Sequence, residues 1–151
     1  MNSKLSPYLW PVFFALAVVG VADAGYLTVE HYRGLVPGCA IGRCEEVLTS
    51  VYATVFGVPI SLGGLALYVT LIVLGALYLF VRRAVILPAL VAFTGAAFFG
   101  SLVLMHIQLS VLEAVCVFCT ISAGISTALF ALTLMIYTTE RSRSAAIDSE
   151  R

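Results

Sequence analysis

The stretch LEAVCVFCTISAGISTALFALTLMIYTT, residues 112–139, decides how the rest of the chain is read. Beyond Glu113 it carries no charged side chain, and it exceeds the roughly 20 residues needed to cross bilayer hydrocarbon. Yet it opens with two thiols, Cys116 and Cys119, three positions apart. Residues i and i+3 share a helix face, and their separation is one a disulfide can bridge. A helix N-terminus also favours the reactive thiolate. The run is that of a membrane helix with a pair of thiols at its mouth.

Composition agrees with a bilayer as solvent. Of 151 residues 62% are hydrophobic and 11% charged, whereas soluble domains carry a charged fraction of about 25%. Formal net charge is zero, which gives no reason to expect nucleic acid as a partner. Three further apolar runs precede the first, at about 9–27, 58–81 and 84–108, with the last at 112–137. Lipid offers no hydrogen bonds to an exposed backbone, so such runs are helices. The expected fold is an all-α membrane protein, a four-transmembrane-helix bundle over residues 1–138, with 139–151 a short, poorly ordered cytoplasmic tail. Arg82-Arg83 leaves little room between the second and third helices, which should form a tight antiparallel pair. Ala22-Asp23-Ala24 has the small-x-small look of a signal cleavage site, but the leading region carries only Lys4, so the first run is kept as a helix.

Basic residues set the orientation. With both termini on one side, that side holds Lys4, Arg82, Arg83, Arg141, Arg143 and Arg151, against Arg33 and Arg43 opposite. Both termini are expected in the cytoplasm. All four cysteines, Cys39, Cys44, Cys116 and Cys119, then face the other, oxidising side in two close pairs. Cys39 and Cys44 would close a short loop in which Gly42 can take a positive φ, and Pro37-Gly38 is expected to end the preceding helix. Each pair alone could be a structural staple or, in the helix, a small hydrophobe. Sharing one side of the membrane, they favour a thiol–disulfide relay. Zinc is the other four-cysteine option, and a site half embedded in lipid argues against it.

Between the pairs, residues 45–57 are too short to span. Val47, Leu48, Val51, Tyr52 and Val55 recur at helical spacing, with Glu45, Glu46, Thr49 and Thr54 largely opposite. An interfacial helix lying over the bundle mouth is expected there. Asp23 is the one acid deep in a predicted helix, and an intramembrane carboxyl is a functional candidate by default. It could pair structurally or relay protons. His106 and His31, near the outer surface, could also accept protons, although interfacial packing suits them as well.

These features in order resemble the vitamin K epoxide reductase (VKOR) family, its prokaryotic members most. Carrying the resemblance are Cys39 and Cys44, Ser50 six residues after Cys44, Gly57-Val58-Pro59 at the entry to the next helix, and Cys116-Val117-Phe118-Cys119 opening the last. The resemblance implies a thiol:quinone oxidoreductase supporting disulfide formation. It implies that Cys119 faces the quinone, of menaquinone or ubiquinone type, that Cys116 is attacked by Cys44, and that Cys39 exchanges with a partner. It further implies a Ser50 hydrogen bond near the thiols or quinone. No metal or flavin is called for, and no nucleotide-binding glycine motif is present. Animal members carry a Tyr and an Asn where this chain has Ala123 and Ile60, which speaks against epoxide reduction. With no fused thioredoxin-like domain, the electron donor is expected to be a separate extracytoplasmic thioredoxin-like or DsbA-like protein.

Two alternatives stand beside this. A DsbB-type protein performs the same net reaction with four helices, but there the CxxC pair comes first along the chain. A small proton-coupled transporter could use Asp23, although it would have no use for the cysteines.

Overall fold

The computed structural model describes residues 6–35, 42–83 and 85–149. Helix α1 (Ser6–Arg33) leads to a short helix α2 (Cys44–Leu48), a 3-10 turn at Val51–Ala53 and a two-stranded hairpin of β1 (Thr54–Val55) and β2 (Val58–Pro59). Three long helices complete the chain: α3 (Ile60–Val81), α4 (Ile86–Ser110) and α5 (Val117–Ser149). Among the described residues four helices are long and apolar enough to cross a membrane, those over Tyr8–Tyr32, Ile60–Val81, Ile86–Ser110 and Val117–Ser142. The protein is an all-α membrane bundle.

Helix α1 packs on α3 and α5, and α4 packs on α5 and α3, closing a ring of four. In lipid, association of helices depends on close packing and interhelical hydrogen bonds rather than on the hydrophobic effect. Both are present. Phe13, Leu71, Leu90 and Leu129 are fully buried, and Trp10 stacks on Tyr78 at 5.4 Å. A side chain at Gly20 would stand 2.6 Å from the Tyr68 ring, so α1 must be bare there for α3 to approach. Tyr68 then reaches across the bundle and bonds Ser122 and Ser126 of α5 at 3.0 and 3.1 Å.

The turn between α3 and α4 is as tight as Arg82-Arg83 implied. Arg82 adopts a left-handed conformation, φ 53°, and donates its N–H to the Tyr78 carbonyl. Other boundaries differ from expectation. Helix α1 continues to Arg33, and Gly34 (φ 66°) turns the chain, so the helix is over before Pro37-Gly38, which lies outside the described residues. Helix α5 starts at Val117 rather than 112, because Glu113 takes φ 48° and reverses the chain ahead of the thiols. It runs on through Ser149, so 139–149 is helix and not a loose tail.

The segment 45–57 is not one interfacial helix. Its helix is finished at Leu48. Ser50 is extended, and β1 pairs with β2 in the register Val55↔Val58. Thr49, Val51, Thr54, Val55 and Val58 are β-branched and suit extended backbone better than helix. Phe56 (φ 52°) and Gly57 (φ 80°) form the hairpin tip.

Candidate active site

The ends of α1, α3, α4 and α5 at the hairpin side gather the chemistry. Cys116 sits immediately before α5, and its carbonyl accepts the Thr120 N–H at 3.0 Å. It is therefore the cap residue of α5, with Cys119 one turn along the same face. Its own N–H donates to Oε1 of Gln108 at 2.9 Å. Gln108 is 3% exposed, on the last turn of α4, and its backbone carbonyl also accepts the Ala114 N–H at 3.0 Å. One carboxamide thus fixes where the CVFC segment begins.

Cys44 opens α2 and is disulfide-bonded. Cys116 and Cys119 are free thiols. Cys44 and Cys116, 1% and 0% exposed, are buried in one apolar cluster with Val47 and Ala114, and Leu48, Leu112, Phe118 and Cys119 pack around it. Cys39 lies outside the described residues.

A clamp joins the loop to CVFC. The Arg43 N–H donates to the Val115 carbonyl at 3.0 Å, the Arg43 side chain reaches the Glu113 carbonyl at 3.5 Å, and Arg43 also pairs with Glu46. Gly42, at φ 106°, lies so close that an added Cβ would be 2.6 Å from the Val115 carbonyl oxygen. Only a residue without a side chain fits both that conformation and that gap.

The hydrogen bond from the Cys119 thiol holds Cys116 below the usual thiol range. Burial and the Asp23 charge push the other way, and backbone N–H groups at the start of α5 reinforce the lowering. Within this pair, Cys116 is the thiol disposed to be the thiolate.

Cys119 faces a cavity of about 770 Å³ between the helix ends and the hairpin. The volume is that of a site for a drug-sized molecule, which spans about 300–1,000 Å³. Its wall is mostly apolar, with Leu27, Val47, Ile60, Leu67, Leu104 and Ile107 among its residues, and the hydroxyls of Ser50, Ser61, Tyr68 and Ser126 also line it. Ser50 Oγ donates to the Val47 carbonyl at 2.7 Å, a local backbone bond made from a position on the cavity wall. Asp23 lines the cavity too, and its Oδ2 is buried with no hydrogen-bond partner among the described residues. His31 is exposed at its edge. His106 is exposed on α4, 3.4 Å from Ser110 Oγ, and does not line the cavity.

Gln108 and Tyr68 were not singled out by sequence reasoning. For Gln108 the available signal was a lone carboxamide closing an otherwise apolar run. Tyr68 was indistinguishable from the packing aromatics around it.

A search among curated proteins returns no match. The family model for the vitamin K epoxide reductase family matches residues 11–134, which takes in α1 from Pro11 onward, the hairpin, α3, α4, CVFC and about the first half of α5. That span is most of the chain, and the protein belongs to the vitamin K epoxide reductase family, a multi-pass membrane thiol–disulfide oxidoreductase.

Proposed function

We propose that the protein is a membrane thiol:quinone oxidoreductase supporting disulfide formation. A separate extracytoplasmic thioredoxin-like or DsbA-like protein donates electrons to Cys39 and Cys44, which pass them to Cys116 and Cys119 and thence to a quinone in the cavity. The observation that carries this reading is the placement of sulfurs. Cys44 and Cys116 share one buried cluster, while Cys119, a turn away, faces the cavity.

The steps balance as thiol–disulfide exchange. The partner's dithiol reduces the Cys39–Cys44 disulfide and is itself oxidised. The Cys44 thiolate attacks Cys116 Sγ of the Cys116–Cys119 disulfide, forming Cys44–Cys116 and releasing the Cys119 thiolate. Cys39 then attacks Cys44, which restores the loop disulfide and frees Cys116. Two electrons now sit on CVFC. Oxidation of that dithiol by quinone yields the Cys116–Cys119 disulfide and quinol. The cavity residues suit the substrate: an apolar wall for ring and tail, with hydroxyl-bearing residues and Cys119 among those that line it. The excess of Lys and Arg on the side of the termini and the α3–α4 turn supports a cytoplasmic placement of that side, with CVFC on the extracytoplasmic face.

Quinol formation by the purified protein with a short-chain quinone and a reduced thioredoxin-like partner tests the reading. Wild type should produce partner-dependent quinol, and Cys119→Ser should produce none. A wild type inert toward every quinone supplied would refute it.

A further inference from the structure

Reduction of a quinone consumes two protons with two electrons, and the reduced CVFC pair with Cys116 ionised carries one. Something at the site must hold the other. Among the described residues, four titratable groups besides Cys119 are found on the cavity wall: Asp23, His31, Tyr52 and Tyr68. His31 and Tyr52 are exposed, and the Tyr68 hydroxyl is committed to Ser122 and Ser126. Asp23 is different. Its Oδ2 is buried and unpartnered among the described residues, although a carboxyl oxygen withdrawn from water without a hydrogen bond is costly. Other acids near this end are occupied or outside the cavity. Glu30 pairs with Arg33, Glu46 with Arg43, and Glu45 and Glu113 are exposed and off the wall. Within the membrane span an ionisable side chain facing an interior cavity marks a proton path or ligand site.

We infer that Asp23 is a catalytic residue that stores the proton shed by Cys116 and delivers it to the quinone oxygen. This deepens the quinone-reducing reading above and rests on it. When Cys116 ionises, its proton passes to the Asp23 carboxylate. The Asp23 charge opposes ionisation of Cys116, so the thiol ionises at least cost when its proton comes to rest there. The electron pair then leaves the sulfurs as the Cys116–Cys119 bond forms. The quinone gains both electrons, one proton from the Cys119 thiol and one from Asp23, and becomes quinol. Asp23 returns to carboxylate, and atoms and charge balance over the cycle.

The test compares wild type, Asp23→Asn and Asp23→Glu as full-length purified protein. Two rates are followed: reduction of the Cys116–Cys119 disulfide by a reduced thioredoxin-like partner, and quinol formation with a short-chain quinone. Asn keeps the shape and removes the titratable proton; Glu restores it. Since general acid–base groups contribute about 10²–10⁴-fold, Asp23→Asn should lose at least about tenfold in kcat for quinol. Its KM and its partner exchange should stay near wild type, and Asp23→Glu should recover much of the loss. A solvent deuterium isotope effect on quinol formation should change in Asp23→Asn. Equal kcat in Asp23→Asn and wild type overturns the proposal alone. A parallel loss of partner exchange without rescue by Glu also overturns it, assigning Asp23 a structural role. No quinol from wild type overturns the quinone reading and this proposal with it.

Discussion

Adding one methyl group at Gly42 should uncouple the loop from CVFC. Gly42 has φ 106°, and a Cβ there would come within 2.6 Å of the Val115 carbonyl oxygen. Holding alanine at positive φ costs on the order of 1–2 kcal/mol. Relief of the overlap requires the loop to move off Val115, which breaks the Arg43 N–H bond to that carbonyl, worth about 0.5–1.5 kcal/mol. Together these come to about 1.5–3.5 kcal/mol against the docked loop, a ten- to several-hundred-fold fall in the docked-to-undocked ratio at 1.4 kcal/mol per decade. Cys44 reaches Cys116 only from the docked loop, because the two are buried in one cluster. In Gly42→Ala, partner-driven quinol formation should therefore drop at least about tenfold. A small dithiol that enters by the cavity and reduces the pair at Cys119 bypasses the loop, and quinol formation with it should change by less than about threefold. A folded Gly42→Ala protein with partner-driven turnover equal to wild type would refute the reasoning.

Other outcomes are expected. Gln108→Leu leaves the buried Cys116 N–H without its acceptor, a loss of about 1–3 kcal/mol, seen as a lower Tm in detergent and slower CVFC turnover. Thiolate absorbance titrated against pH should place Cys116 ionisation below the usual thiol range. In Cys119→Ala it should move up, because the hydrogen bond that favours the thiolate is gone, so less thiolate is present at neutral pH. Gly20→Ala drives a methyl into the Tyr68 ring and should cost about 1–3 kcal/mol, measured as loss of thermal stability with Gly25→Ala as the tolerated control, its nearest neighbour standing 3.8 Å away. Cys44→Ser should leave Cys39 able to trap a mixed disulfide with the partner; failure to trap one would reverse the shuttle order.

The four spanning helices were legible because in lipid an apolar run of sufficient length has few alternatives to helix, whatever its detailed pattern. Thiol–disulfide chemistry in general was legible from the paired spacing of the cysteines. The cover over the mouth was not. Val47 and Leu48 belong to a true helical turn, but Val51, Tyr52 and Val55 only imitate its period, and Phe56 beside them is wholly exposed at a hairpin tip, 103%. Gly57-Val58-Pro59 reads only as the entry to the next helix, although Pro59 and the β-branched residues before it suit extended backbone. Gln108 was illegible for another reason. Its partner lies eight residues on, and the two meet only because Glu113 reverses the chain with a backbone conformation unusual for its type. Asp23 was readable as an oddity, whereas its bare oxygen needed the packed bundle to be seen.

The enclosure of Cys44 and Cys116 bears on how the protein lives among other thiols. Glutathione, stray peroxides and unrelated secreted cysteines meet neither sulfur, since hydrocarbon sheathes both. Under the proposed relay, electrons would enter through the loop and leave where a lipid-soluble oxidant reaches Cys119. The packing around Cys44 and Cys116 would then act as insulation for that relay, limiting leakage to bystanders.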